Sequence, residues 1–236
     1  MIPLEGKFLR RKVGNKKDAR IIYLLYEGKN TEPLFINSFI ENSTFFDSKR
    51  IRFTHLEKTL NDNGVTNIQQ LIELAKNYKR NKSSFRKSYD KVLIVFDLDV
   101  FKNNQTKINK ILELIDNDII LAYTNPAIEL FLLLTLKNSY EEYIVKNEKD
   151  ILKNDFVNNK RFVYNLFCEV TKTNPKSSKQ NFESLVSRFE NAINQEELYL
   201  NRYLDRAANK LTSNIGYIFK KIKNLDFDFV YSAKQK

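Results

Sequence analysis

Two carboxylates one residue apart close the apolar run Asp90-Lys-Val-Leu-Ile-Val-Phe-Asp-Leu-Asp99. Residues 92–96 are apolar, rich in Val and Ile and too few for a typical helix, so they read as a strand buried on both faces. Side chains alternate along a strand, which puts Asp97 and Asp99 on one side and Leu98 on the other. Two carboxylates at the end of a buried strand repel each other and call for a cation, and oxygen ligands of this kind suit Mg²⁺ or Mn²⁺. Glu27 follows a second apolar run, Arg20-Ile-Ile-Tyr-Leu-Leu-Tyr26, and Glu129 follows a third at residues 119–123. In open α/β sheets ligands gather at the carboxyl ends of parallel strands. If the first strand and the strand at 92–96 are neighbours, four carboxylates converge there, and they cannot all stay ionised without metal. One or two Mg²⁺ ions would polarise a phosphodiester and activate a water or hydroxyl. Each piece alone has a plainer reading, as a cap, a solvated loop or, for Glu129, a first-turn acid favoured by the helix dipole. Their order along the chain is the more specific signal.

The elements that must position these residues alternate. After the strand at 20–26, Gly28 permits a tight turn, Asn30 or Thr31 can cap a helix, and Pro33 fits its first turn. Residues 50–56 alternate like an edge or half-exposed strand, 61–64 read as a loop, and 67–80 as an amphipathic helix with Ile68, Leu71, Ile72 and Ala75 on one face. A helix is expected over 105–117, a strand over 119–123, and a helix opening at Asn125-Pro126 and running apolar through 128–136. This alternation predicts a mainly parallel sheet with helices on both faces. Beyond Lys137 helical signals dominate, at 162–170, 182–193, 196–211 and 215–222, with a loop at 171–179. The division expected is a basic arm over 1–19, an α/β domain over 20–140 and a helical C-terminal region over 141–236.

With 236 residues the chain holds one large domain, or a domain with an appendage. Lys and Arg number 40 against 29 Asp and Glu, a net charge of +11 that predisposes the chain to polyanions, chiefly nucleic acid. The same charge is also what a Lys- and Asn-rich composition gives with its charges merely solvated. Lys29, Arg80, Lys82, Arg86 and Lys87 are the candidate phosphate contacts; the segment 76–91 reads equally as a phosphate-binding loop or a solvated connection. A mean hydropathy of -0.49 and the absence of a long apolar run argue against membrane insertion. The basic start lacks the apolar segment of a secretory signal. One cysteine, Cys168, allows no internal disulfide and fits a reducing cytoplasm. A single histidine, His55, argues against histidine-rich zinc sites and two-histidine phosphodiester hydrolysis, and is read as structural. No Gly-x-x-x-x-Gly-Lys-Ser/Thr motif is present, so ATP hydrolysis would have to come from a partner.

Glu27-Gly28 followed by Asp97-x-Asp99 resembles the Toprim fold of topoisomerases, primases and nucleases of the overcoming-lysogenization-defect type. More closely, Tyr26-Glu-Gly-Lys-Asn-Thr-Glu-Pro33, Val95-Phe-Asp-Leu-Asp99 and Thr124-Asn-Pro-Ala-Ile-Glu-Leu-Phe-Leu-Leu134 resemble RloB-like proteins, which include the second component of the AbiL abortive-infection system. Ser213-Asn-Ile-Gly-Tyr-Ile-Phe-Lys-Lys-Ile222 resembles that family's closing helix. The resemblance implies a Toprim-like sheet with a C-terminal helical extension. It implies Glu27 as general acid/base and, with Asp97 and Asp99, as a Mg²⁺ (or Mn²⁺) ligand, and Glu129 completing the site or positioning Lys29 or a backbone group. Glu32 is near enough to contribute. The implied activity is that of a nuclease effector in a two-component anti-phage system, working in the cytoplasm with an ABC-type ATPase encoded nearby and cutting RNA, such as tRNA, or DNA. The other function is a non-catalytic module that binds nucleic acid or the ATPase. The chain departs from the family's common pattern at Leu98 (often Arg), Phe131 (commonly Trp) and Thr135 (commonly His).

Overall fold

The computed structural model describes residues 18–56, 67–101, 104–175 and 182–235. The arm expected over 1–19, except Asp18 and Ala19, the loop at 61–64 and part of that at 171–179 lie outside the described residues. In chain order the first half comprises β1 (Arg20–Tyr26), α1 (Thr31–Asn42), β2 (Ile51–His55), α2 (Ile68–Asn81), β3 (Lys91–Asp97), α3 (Gln105–Leu114), β4 (Ile119–Asn125) and α4 (Glu129–Leu133). The second half adds α5 (Glu148–Lys153), β5 (Phe156–Val157), β6 (Lys160–Arg161), α6 (Phe162–Thr171), α7 (Glu183–Val186), α8 (Phe189–Tyr199), β7 (Thr212–Ser213) and α9 (Ile215–Lys223).

The main sheet has the order β2-β1-β3-β4-β7. The first four strands are parallel, and β7 runs antiparallel to β4. β3 is central and its residues from Lys91 to Phe96 are buried, as its unbroken apolar composition requires. β2 is the edge strand that its alternating sequence predicts. The helices are amphipathic where they cover the sheet. α2 buries Ile68, Leu71, Ile72 and Ala75 and is capped by Asn67, whose side chain accepts the Gln69 N–H at 2.8 Å. On another wall of the core Phe39, Phe131, Phe189 and Phe219 meet, with Phe39 and Phe189 stacked at 3.7 Å between centroids.

The C-terminal helices are present, and the chain around them also finishes the sheet. Beyond its short pairing with β7, the edge of β4 is closed by side chains. Asn214 accepts the Tyr123 N–H (2.8 Å) and donates to the Leu121 carbonyl (3.0 Å), so its amide imitates a strand partner. The Leu121 N–H in turn donates to the Tyr231 hydroxyl (2.9 Å). An otherwise open sheet edge is thereby sealed. The helix expected over 196–211 ends instead at Tyr199, and the one expected over 182–193 is split between α7 and α8. Asn125-Pro126 does not open a helix either. Asn125 is the last residue of β4, its peptide bond to Pro126 is cis, and α4 begins at Glu129.

Because Asn214 spends its amide on β4, α9 is capped from another helix. Glu196 of α8 accepts the N–H groups of Gly216 (3.1 Å) and Tyr217 (2.8 Å) and the Ser213 hydroxyl. A Cβ on Gly216 would stand 2.8 Å from Glu196 Oε2, which accounts for glycine there. Burial pushes the Glu196 carboxyl up to about 7, against the opposing pull of those donors. The folded protein therefore holds a proton that the unfolded chain releases. This stabilisation is complete below the ordinary carboxylate range and is lost as pH rises through about 7. Urea midpoints are expected to fall across that window, and Glu196→Gln to flatten the fall; an identical slope in the variant would contradict the assignment.

Candidate metal and phosphate cleft

Each carboxylate is placed by the end of a strand or the start of a helix. β1 passes its pairing with β3 on to Glu27, whose N–H donates to the Val95 carbonyl (3.0 Å). Four residues later α1 begins, and its first-turn acid, Glu32, is 8% exposed. The Glu32 carboxylate lies directly against Gly28, in the space that a Cβ would fill. No glycine among the described residues has a positive φ, so Gly28 serves here by leaving room and not by adopting a left-handed turn.

β3 delivers Asp97 beside Thr124 of β4, which donates its hydroxyl to Asp97 Oδ1 at 2.6 Å. Leu98 points away and is 1% exposed, as the alternation requires. Asp99 follows in a 3₁₀ turn, 3.8 Å from Arg161 Nε. Glu129, the first residue of α4, is 6% exposed.

Glu32, Asp97, Asp99 and Glu129 line one cleft of about 440 Å³, with Lys29, Lys160 and Arg161 among its other walls. The electrostatics carry the mark of this crowding. Burial, then Glu32 and Glu129, and to a smaller extent Asp99, push the Asp97 carboxyl well above its ordinary value; only the Thr124 hydroxyl pulls the other way. Burial likewise raises Asp99, with Arg161 opposing.

Glu27 is the exception to the expected convergence. It accepts the Asp97 N–H at 3.1 Å through Oε2 and lines an adjoining pocket of about 480 Å³ with Lys107 and Lys110. Glu32 occupies the cleft in its stead. Among the described residues no three carboxylate, imidazole or thiol groups are gathered into a ready-made metal cage. The donor set nevertheless suits Mg²⁺ or Mn²⁺. Mg²⁺ retains several waters and takes only one or two carboxylates, and a cation relieves the repulsion that raises Asp97.

Of the candidate phosphate contacts, Lys29 lines the cleft. Arg80, Lys82, Arg86 and Lys87 do not, and the reason is topological. α2 runs back against the parallel strands, so its C-terminus and the segment before Lys91 lie at the amino end of the sheet. There Arg86 is held by the fully buried Asp90, donating from Nε (3.0 Å) and Nη2 (2.6 Å). Asp90 also accepts the N–H groups of Ile21 (3.0 Å) and Arg86 (2.9 Å). Burial alone would raise this carboxyl, but the Arg86 fork and the two N–H groups hold it below its ordinary value. Asp90→Ala strands these donors and is expected to cost about 2–3 kcal/mol in urea denaturation. A loss under about 0.5 kcal/mol, the scale of a surface change, would contradict the staple.

Sequence reasoning missed the far wall of the cleft. Phe156, Lys160 and Arg161 belong to the β5–β6 hairpin, whose two turn residues, Asn158 and Asn159, have φ of 50° and 61°. Asn tolerates this left-handed geometry, and an Asn-Asn pair between Phe-Val and Lys-Arg is the sequence signal for such a turn. Tyr164 of α6 completes the wall, its hydroxyl pushed up to about 12 by burial and then by Cys168 and Glu129.

Residues 22–222 match the family described as RloB-like protein. The chain belongs to the RloB-like family. No curated protein and no solved structure matches it. The three segments that resemble RloB-like motifs, around Glu27, Asp97 and Glu129, all fall inside the matched region and border the cleft or its adjoining pocket. Leu98, Phe131 and Thr135, the positions that depart from the resembled pattern, do not line the cleft. Leu98 and Phe131 are buried, and Thr135 is buried with its hydroxyl donating to the Leu132 carbonyl (2.7 Å).

Proposed function

We propose that this RloB-like chain is a Mg²⁺- or Mn²⁺-dependent nuclease, the effector of a two-component anti-phage defence system that works with an ABC-type ATPase. The observation that carries the proposal is Asp97, held among Glu32, Glu129 and Asp99 at the carboxyl end of a parallel sheet, in a cleft walled also by Lys29, Lys160 and Arg161. Asp97 and Asp99 are the ligands, with Glu129 and Glu32 at hand to complete the set. A metal held by these residues would supply polarisation of the phosphodiester and activation of a water. Lys29 and Lys160 attract the phosphate, and Arg161 shares its charge between Asp99 and the incoming strand. Thr124 fixes the Asp97 carboxylate by its hydroxyl, while Glu27 fixes the backbone beneath it and serves as general acid/base. No Gly-x-x-x-x-Gly-Lys-Ser/Thr motif stands in the chain, which supports assigning ATP hydrolysis to the partner.

The test is cleavage of labelled RNA and DNA by the purified chain, alone and with the ABC-type ATPase encoded beside it, in Mg²⁺ or Mn²⁺ and in EDTA. Metal-dependent cleavage of either polymer is expected. Co-purification with the ATPase and no cleavage under any of these conditions would favour the second reading, a non-catalytic binding module. The position of Glu27 outside the cleft lining is the observation on that side. Gly28→Ala adds a sharper expectation. The new methyl displaces the Glu32 carboxylate, the movable end of a side chain, so stability should change by less than about 1 kcal/mol while metal affinity falls about tenfold. Unchanged metal affinity would remove Glu32 from the site.

A further inference from the structure

Between α8 and β7 the chain forms little regular structure beyond a 3₁₀ turn at Leu204–Arg206. Side-chain amides nevertheless pin it at several points. Gln105 of α3 donates to the Leu204 carbonyl and accepts the Ala208 N–H, each at 2.8 Å. Asn125 donates to the carbonyls of Ala207 (2.8 Å) and Lys210 (3.0 Å). Asn201 donates to the Tyr203 carbonyl (2.9 Å) and the Thr212 hydroxyl (3.0 Å). A loop fixed in this way holds its outward side chains on a rigid scaffold, the usual setting for binding residues.

Those side chains are basic and lie beside aromatic rings. Arg202, Arg206 and Lys210 border a groove of about 1050 Å³ together with the end of α8 and one side of α9. The Arg202 guanidinium lies over the rings of Tyr203 (5.1 Å) and Tyr217 (4.8 Å). Tyr199, 39% exposed, stacks on Tyr140 at 4.3 Å with the planes 4° apart, and its hydroxyl donates to Glu141. Two of the groove's three acids are spent, since Glu196 caps α9 and Glu197 pairs with Lys220 at 2.8 Å; the third, Glu148, lies near Tyr140. The salt bridges found among the described residues use neither Arg206 nor Lys210.

We propose that this groove holds a single-stranded nucleic-acid segment, its phosphates on Arg202, Arg206 and Lys210 and a base stacked against Tyr199. A track of cations follows a phosphate backbone, and an oriented ring offers a platform to any unpaired base. A duplex keeps its base faces covered and has no use for the platform. The groove is tied to the cleft through β4: Asn125, which pins Ala207 and Lys210, directly follows Thr124, which bonds Asp97. The proposal rests on the nuclease reading only in calling the bound segment a substrate; the binding itself needs no metal.

Fluorescence anisotropy of a labelled single strand of ~12 nucleotides, within the reach of one such platform, measured in EDTA with the full chain, tests this. Wild type is expected to bind, Tyr199→Phe to match it, and Tyr199→Ala to weaken binding about fivefold or more. Arg206→Glu combined with Lys210→Glu should weaken it at least about tenfold and flatten its salt dependence. Unchanged affinity in the Ala and Glu variants, an equal loss in Tyr199→Phe, equally tight binding of a duplex, or competition by a mononucleotide as strong as by the strand would each overturn the assignment. Tyr199-dependent binding by a chain that cleaves nothing would leave the groove standing without the nuclease. Cleavage by a chain indifferent to the groove variants would do the reverse.

Discussion

Asp97→Asn is expected to lower metal-dependent cleavage by more than about a hundredfold and, in the same molecule, to stabilise the metal-free fold. The first effect follows from removing a proposed ligand, since even outer-shell partners of a metal typically matter by about 10–100-fold. The second follows from the crowding at the cleft. Burial and the carboxylates of Glu32, Glu129 and Asp99 raise the Asp97 carboxyl well above its ordinary value. A raised carboxyl favours the folded state while protonated, and that contribution is lost as pH rises through the folded value. Above the ordinary carboxylate range this crowded, buried carboxyl therefore works against the fold in the absence of a cation. Asn keeps an acceptor for the Thr124 hydroxyl and carries no charge. In EDTA near neutral pH the variant should melt about 2–4 °C higher for each kcal/mol of repulsion removed, and near pH 4 the gain should shrink. Added Mg²⁺ should stabilise wild type and not the variant. A variant that melts lower than wild type at neutral pH, or that still responds to Mg²⁺, would show that Asp97 is not the crowded ligand.

Glu27→Gln is expected to lower cleavage by about a hundredfold or more without changing the fold. Its geometry makes this substitution discriminating. Glu27 accepts the Asp97 N–H at 3.1 Å, and glutamine accepts the same bond, so the support beneath Asp97 survives. What glutamine cannot do is take or give a proton. Loss of cleavage with unchanged Mg²⁺ stabilisation therefore assigns Glu27 to proton transfer. Full activity in Glu27→Gln, with loss only in Glu27→Ala, would reassign it to holding the Asp97 backbone.

The parallel sheet was legible because its strands carry a two-sided apolar run or a clean alternation, and its helices carry a stripe at helical spacing. The cleft was legible where a carboxylate ends a strand or opens a helix, as with Asp97, Asp99 and Glu129. Glu32 was harder to rank, because a first-turn acid is ordinary; only the fold brings it into the cleft beside Asp97. Glu27 was expected to converge with the other carboxylates; its backbone follows β1 as expected, but its side chain accepts the Asp97 N–H and lines the adjoining pocket. The basic segment before β3 read equally as a phosphate site or a solvated connection, because charge alone does not reveal a buried partner. Asp90 claims Arg86, and the chain direction puts the whole segment at the other end of the sheet. The two-residue strands β5, β6 and β7 are too short for periodicity to register. The non-helical course from Leu200 to Leu211 is set by distant amides, Gln105 and Asn125, that no local pattern encodes.

On the proposed reading a divalent cation belongs between Asp97 and its neighbouring carboxylates. Titration of the metal-free protein with Mn²⁺, followed by electron paramagnetic resonance of the free ion, measures this directly. One or two ions are expected to bind wild type, with binding lost in Asp97→Asn and competed by Mg²⁺. Equal uptake of Mn²⁺ by wild type and Asp97→Asn, or no uptake by wild type at millimolar metal, would contradict it.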